Sequence, residues 1–207
     1  MAHLKFDVSK LERLNDPGRF EQLDPDLMWR ALGRPTPEAI VEIGAGTGLF
    51  SARFSDMAPD AVVYAVDAEP VMVEWMQENR KGVAEGRIVP VLSTESSVPL
   101  PSASADLVLM INVHHELADP DAIYREGVRL LRAGGQMLVV DWAPRETPKG
   151  PPQGVRASVE TLVATLESAG MCDVLEHPGL EWHTMLTACR QDPRRAGLEC
   201  ACEPSRH

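Results

Sequence analysis

The stretch AIVEIGAGTGLF (residues 39–50) is a short apolar run that stops at Gly44 and passes through glycine at every second position, Gly44, Gly46 and Gly48. It then enters a helical pattern. A strand that turns into a helix through Gly-x-Gly exposes bare backbone, because glycine tolerates positive φ and leaves room for a ligand lying across the turn. Such a turn lies at the carboxyl end of its strand, where open α/β sheets bind ligands. Dinucleotide sites use G-x-G-x-x-G, and here Leu49 stands in place of the third glycine. Glu42, two residues before Gly44, would repel a pyrophosphate and attract a positively charged ligand. Both features point away from NAD.

Moving outward, VVYAVDAEPVM (residues 62–72) ends a second strand-like run in Asp67, 23 residues after Gly44. A carboxylate there can accept both hydroxyls of a ribose, or it can cap the helix that opens at Pro70. Further apolar runs at 87–92, 105–111 and 136–141 alternate with helical patterns. One helix opens at Glu69-Pro70 and closes near Gly82; another opens at Asp119-Pro120 and ends before Gly134. This alternation predicts a doubly wound α/β fold, its mostly parallel sheet covered on both faces. Residues 143–157, rich in Pro and Gly, form a long loop. Ser158 then caps a last helix, and the runs at 171–176 and 182–188, separated by HPGLE, pair as an antiparallel hairpin.

The organisation expected is a helical cap or lid over residues 1–37, a ligand-binding domain over 38–190 and a polar tail over 191–207 that carries Cys200 and Cys202. A net charge of −11 and the lack of any basic run longer than two residues argue against nucleic acid. No apolar run approaches the length of a membrane span. The expected setting is the cytoplasm, without a membrane partner, as a monomer or homodimer.

EIGAGTG, VYAVDAEPVM, LPSASADLVLMINVHHEL and LLRAGGQMLVVDW, in that order, resemble the class I S-adenosylmethionine-dependent methyltransferases, and among them the small bacterial type 11 group. The resemblance covers about residues 30–190. It implies a Rossmann-like, seven-stranded sheet with its last strand antiparallel, S-adenosyl-L-methionine as cofactor and a small-molecule acceptor. It also implies site residues: Glu42, Gly44, Ala45, Gly46 and Gly48 around the methionine part, Asp67 on the ribose, Ala68 and Met72 beside the adenine. Where the family commonly has an acid contacting the adenine amino group, this sequence has Thr94, with Glu95 next. Asn112 would lie near the methionine end through its backbone.

A sulfonium already provides an excellent leaving group, so alignment and desolvation can supply most of the rate, and a base is needed only for a protonated nucleophile. NVHHELADP puts His114 and His115 just after the fourth strand, where either could act as a general base or merely shape the acceptor pocket. His-His-Glu lacks the further ligands of a metal site, so no metal is expected. Trp142 is either a substrate-side residue or core, and Arg145 and Lys149 either attract an anionic substrate or are solvated loop charges. The other readings are an NAD-dependent oxidoreductase and a non-catalytic module that binds S-adenosylmethionine.

Overall fold

Seven strands form one sheet in the order β3-β2-β1-β4-β5-β7-β6. The structure is a computed structural model that describes residues 9–33 and 35–192; the tail with Cys200 and Cys202 lies outside the described residues. The strands are β1 (Ala39–Ile43), β2 (Val62–Asp67), β3 (Ile88–Leu92), β4 (Ala105–Ile111), β5 (Leu131–Trp142), β6 (Met171–Glu176) and β7 (His183–Arg190). The first five run parallel, and β7 is antiparallel to both β5 and β6. The sheet is thus the mostly parallel, seven-stranded one expected, with the hairpin at its edge.

The apolar runs that read as strands are buried because helices cover both faces. Every residue of β1 is buried, and alternate residues serve two separate cores. Ile40, Leu107, Leu109, Leu138 and Met185 face one layer, with α2 (Pro25–Ala31) and α3 (Leu49–Met57). Val41, Val108, Met137, Val139 and Leu186 face the other, with α6 (Pro120–Leu130) and α7 (Val159–Ser168). A fully buried aliphatic side chain contributes about 1.5–3 kcal/mol, so these two layers provide most of the driving force for folding.

Helix starts follow their caps. Asp24 accepts from the amides of Asp26 and Leu27 at the head of α2. Asp119 accepts from Ala122 N at the head of α6, and Ser158 from Thr161 N at the head of α7. Near the amino terminus lie α1 (Ser9–Leu14) and a 3-10 turn over Pro17–Glu21.

Around Arg80 and at the start of β5, which begins at Leu131 and not at 136, the chain departs from the pattern read in the sequence. The helix expected to run from Pro70 to Gly82 stops as α4 (Pro70–Asn79), and α5 (Lys81–Ala84) follows after a break. Arg80 is extended there, φ −89° and ψ 116°. Its guanidinium is drawn back to Thr47 O at 2.5 Å and to Asn15 Oδ1, long-range partners that override helix propensity.

Residues 93–104, between β3 and β4, are held by α6. Glu126 Oε1 accepts from Val98 N at 2.6 Å and Glu126 Oε2 from Arg129 Nε at 2.7 Å. Arg129 also donates to Leu100 O and Val98 O at 2.9 and 3.0 Å. Glu126→Ala strands the Val98 amide and loosens Arg129, so we expect a loss of about 1–3 kcal/mol, read as a lower urea midpoint.

Candidate active site

The carboxyl ends of β1, β2, β4 and β5 meet on one edge of the sheet. At the end of β1, Gly44, Gly46 and Gly48 have φ of 73°, 57° and 69°, so the turn spends three residues in the left-handed region. Side chains would not fit at two of them. A Cβ on Gly44 would lie 2.4 Å from Val113 Cγ2, and one on Gly48 would lie 2.8 Å from the Met76 sulfur. Ala45 is buried and joined to the next strand by its amide on Val66 O at 2.9 Å. Asp67 fastens the turn: its Oδ2 accepts from Gly46 N at 2.7 Å and its Oδ1 from Glu69 N at 2.9 Å. One acid therefore ties the glycine turn to the residue before α4 without capping that helix, whose N-cap, Glu69, has no side-chain cap bond.

Glu42 is 2% exposed and accepts from Ser51 Oγ on α3. Burial pushes its carboxyl up to about 7, with the Ser51 hydrogen bond and the charge of Arg19 opposing. Arg19 comes from the Pro17–Glu21 turn; it lies over the Phe50 ring at 5.1 Å and donates to Leu14 O at 3.0 Å. Leu14 Cδ1 in turn lies 3.7 Å from where a Cβ of Gly46 would be. The amino-terminal segment is thus strapped over the glycine turn, by Arg19 on one side and by Arg80, which holds Asn15 and Thr47, on the other.

Ala68 is exposed and Met72 is buried, both just beyond Asp67. Thr94 and Glu95 are exposed in the loop after β3. The Thr94 hydroxyl accepts from the amides of Ser96 and Ser97 at 3.4 and 3.0 Å, which leaves it occupied in a local turn.

The two histidines part company. His114 is buried, with Nδ1 3.0 Å from the Tyr124 hydroxyl inside the α6 layer, and burial lowers its pKa. His115 Nδ1 lies 2.9 Å from Asp141 Oδ1, and Asp141, at the end of β5, is 1% exposed. A carboxylate only accepts, so Nδ1 carries the proton and Nε2 keeps a lone pair. Burial pulls the His115 pKa down, but the Asp141 hydrogen bond and the charges of Asp141 and Glu116 outweigh it, and the pKa is raised above 6.5. Asn112 has φ 58° and sends its amide to Val140 O at 2.7 Å.

Several participants were not singled out from the sequence. Asp141 is the last residue of the run at 136–141, and its pairing with His115 spans 26 residues. His183 opens β7 beside Trp142, ring centroids 4.3 Å apart. Arg156 sits 5.3 Å over Trp142 and binds the backbone carbonyls of Ala143, Arg145 and Pro151, folding the 143–157 loop onto that ring. Arg145 donates to Glu181 O and Lys149 lies over Trp182. An acid ending an apolar strand, as in QMLVVD, was the signal for Asp141; nothing in the sequence linked Arg19 or His183 to the glycine turn.

Buried polar atoms without partners cluster at this edge: Asn112 Oδ1, Asp141 Oδ2 and both nitrogens of His183. Orphaned groups of this kind are costly unless a ligand completes them. Together with the cleared backbone of the glycine turn and the buried Glu42, they fit a cationic ligand that carries hydrogen-bond donors. Among the described residues no group of three His, Cys, Asp or Glu is placed to hold a metal.

A methyltransferase-domain family model matches residues 41–139. The malonyl-[acyl-carrier protein] O-methyltransferase of Hahella chejuensis is 33% identical over 102 residues, 49% of this chain and 36% of that protein. The demethylmenaquinone methyltransferase of Thermus thermophilus is 29% identical over 131 residues, 60% of this chain and 58% of that one. The chain thus spans only about a third to three-fifths of these relatives. A solved S-adenosylmethionine-dependent methyltransferase from Aquifex aeolicus superposes with a TM-score of 0.80 at 28% identity, covering 90% of this chain and all of that one. Fold and matches together define a class I methyltransferase domain. The chain is similar to the type 11 group of class I S-adenosylmethionine-dependent methyltransferases, whose cofactor is S-adenosylmethionine.

The buried Glu42 yields a stability prediction. Below 4.5 it is protonated folded or unfolded; between 4.5 and about 7 the unfolded chain ionises it more readily, so stability falls as pH rises through that window. A pKa move of this size corresponds to roughly 3 kcal/mol. Glu42→Gln should flatten that part of the stability–pH curve, measured by urea denaturation from pH 4.5 to 8.

Proposed function

We propose that this chain is an enzyme that transfers the methyl group of S-adenosylmethionine to an oxygen or nitrogen of a small-molecule acceptor. The observation that carries the reading is the three-glycine left-handed turn lying between two carboxylates, Glu42 and Asp67. When bound, the cofactor supplies an electrophilic methyl on a sulfonium. Glu42, Gly44, Ala45, Gly46 and Gly48 surround its methionine part, and the orphaned Asn112 Oδ1 accepts from its ammonium. Asp67 keeps a lone pair on each oxygen for the ribose hydroxyls. Ala68 and Met72 border the adenine, and with the Thr94 hydroxyl occupied by its own turn, Glu95 takes the adenine amino group. The names of the relatives, which include O-methylation and quinone-precursor methylation, support a small acceptor.

His115 is the general base and Asp141 its positioning residue. The 2.9 Å contact fixes the ring so that Nε2 takes the acceptor's proton, which favours the base role over pocket shaping. His114, occupied by Tyr124, stays in the wall. Leu49 in place of the third dinucleotide glycine and the buried Glu42 argue against NAD.

Calorimetry tests the cofactor half: S-adenosylhomocysteine should bind and NADH should not, and Asp67→Ala should weaken the former at least tenfold, since each charge-assisted bond contributes roughly 1.5–3 kcal/mol. Binding of NADH alone would overturn it. Release of S-adenosylhomocysteine over a panel of hydroxyl and amine acceptors separates an enzyme from a mere binder.

With an acceptor in hand, His115→Asn should lower turnover about 10²–10⁴-fold. Wild-type rate should rise with pH through a pKa above 6.5. Asp141→Asn should shift that limb to lower pH, because burial then dominates the imidazole. An unmoved limb would leave His115 as a wall residue.

A further inference from the structure

Three residues at the carboxyl edge of the sheet keep buried polar atoms without a partner: Asn112, Asp141 and His183. The proposed methyl transfer gives roles to the first two and none to His183. Register fixes its place. β7 runs antiparallel to β5, so its first residue, His183, pairs with Trp142, the last residue of β5. Alternation along the strands then sets the face. His183 shares the side of Met185, in the layer of α2 and of α3, the helix that leaves the glycine turn. Asp141, one residue before Trp142, belongs to the opposite face and holds His115 there.

The imidazole is packed and desolvated. Its ring centroid lies 4.3 Å from that of Trp142. The 143–157 loop rests on the same indole: Arg156 lies 5.3 Å from its centroid, and a Cβ on Gly150 would be 2.9 Å from its Cε3. Before β7, Gly179 comes so close to α2 that a Cβ there would be 2.8 Å from Leu27 Cδ2. His183 is 5% exposed, and among the described residues neither ring nitrogen has a hydrogen-bond partner. Packing therefore accounts for the ring and not for its nitrogens, since a phenylalanine would cover Trp142 without stranding two polar atoms.

Burial lowers the His183 pKa to about 4; Asp141 opposes the fall, and Arg19, Arg156 and His115 add to it. At neutral pH the ring is uncharged, with one N–H and one lone pair. A carboxylate or carbonyl can use only the N–H, and an ammonium only the lone pair. A hydroxyl can accept from one nitrogen or donate to the other, so it fits either tautomer, and it brings no charge into a desolvated place. We propose that His183 is a specificity-determining residue that holds a hydroxyl group of the methyl acceptor. Because the two imidazoles are anchored on opposite faces of β5, this hydroxyl is a second one, not the group whose proton passes to His115. The inference rests on the methyltransferase reading.

Calorimetry on the full chain tests it with phenol, resorcinol and hydroquinone, titrated into the S-adenosylhomocysteine complex. Wild-type binding of S-adenosylhomocysteine is measured first; its absence would overturn the methyltransferase reading, and the three phenols are then titrated into the free chain to judge His183 alone. The variants are His183→Phe, which keeps a ring on Trp142, and His183→Gln, which keeps a donor and an acceptor. Resorcinol or hydroquinone should bind wild type about fivefold or more tighter than phenol. That preference should vanish in His183→Phe and survive in His183→Gln. Thermal unfolding of His183→Phe should occur at or above the wild-type temperature, because two orphaned nitrogens are removed. A lower unfolding temperature would mean that the nitrogens serve the fold, through a buried water for instance, and would overturn the proposal. So would a wild type that prefers neither diphenol, a preference that persists in His183→Phe, or an equal loss in both variants, which would reflect only packing against Trp142.

Discussion

A single carboxylate sets the height at which the first two strands leave the sheet. The parallel register pairs Ile43 with Val66, so Gly44 and Asp67 emerge side by side. Asp67 then spends one oxygen on Gly46 N and the other on Glu69 N. Three left-handed residues at alternate positions have no helix or strand to hold them, and an amide left unpaired there would cost about 1–3 kcal/mol. The Asp67 bond supplies that support and orients the turn toward the first residues of α3. From there Ser51 reaches back to Glu42. The glycine turn, the buried acid and the start of α3 are in this sense one unit.

The parts legible in the sequence are those governed by local rules. Continuous apolar runs became parallel strands because both faces are covered, and Asp119 and Ser158 cap the helices that their positions indicated. HPGLE separates the two strands of the edge hairpin. What stayed hidden depends on partners far apart in the chain. Arg80 ends α4 early because Thr47 and Asn15, 33 and 65 residues away, claim its guanidinium. His114 and His115 are adjacent and chemically identical, yet one faces Tyr124 and the other Asp141. Only the register of β4 on β5 decides which is which, and that register cannot be read from the histidines themselves.

The electrostatics of the site run against those of the chain as a whole. The protein carries eleven more acidic than basic residues, but Arg19, Arg80 and Arg156 converge around the glycine turn and the β5–β7 edge. Their hydrogen bonds go to backbone carbonyls and to neutral side chains, and among the described residues none of them forms a direct ion pair. Glu42, pushed up to about 7, is only partly ionised at neutral pH. The site thus mixes these three cations with the carboxylates of Asp67 and Asp141.

The match to the methyltransferase domain ends at residue 139, two residues before Asp141. What lies inside it is the machinery around the glycine turn: Glu42, the glycines, Asp67, Asn112 and His115. What lies outside it, Asp141, Trp142, the 143–157 loop and His183, is joined by β5–β7 pairing and by Arg156. A fold used for many acceptors needs a constant half for the shared cofactor and a variable half for what receives the methyl. Here the border between the halves runs through the His115–Asp141 hydrogen bond. The imidazole comes from one side, and the carboxylate that fixes its proton comes from the other. Under the base role proposed for His115, changes on the Asp141 side would reach the chemistry through the tautomer and basicity of one ring, without disturbing the turn that Asp67 holds.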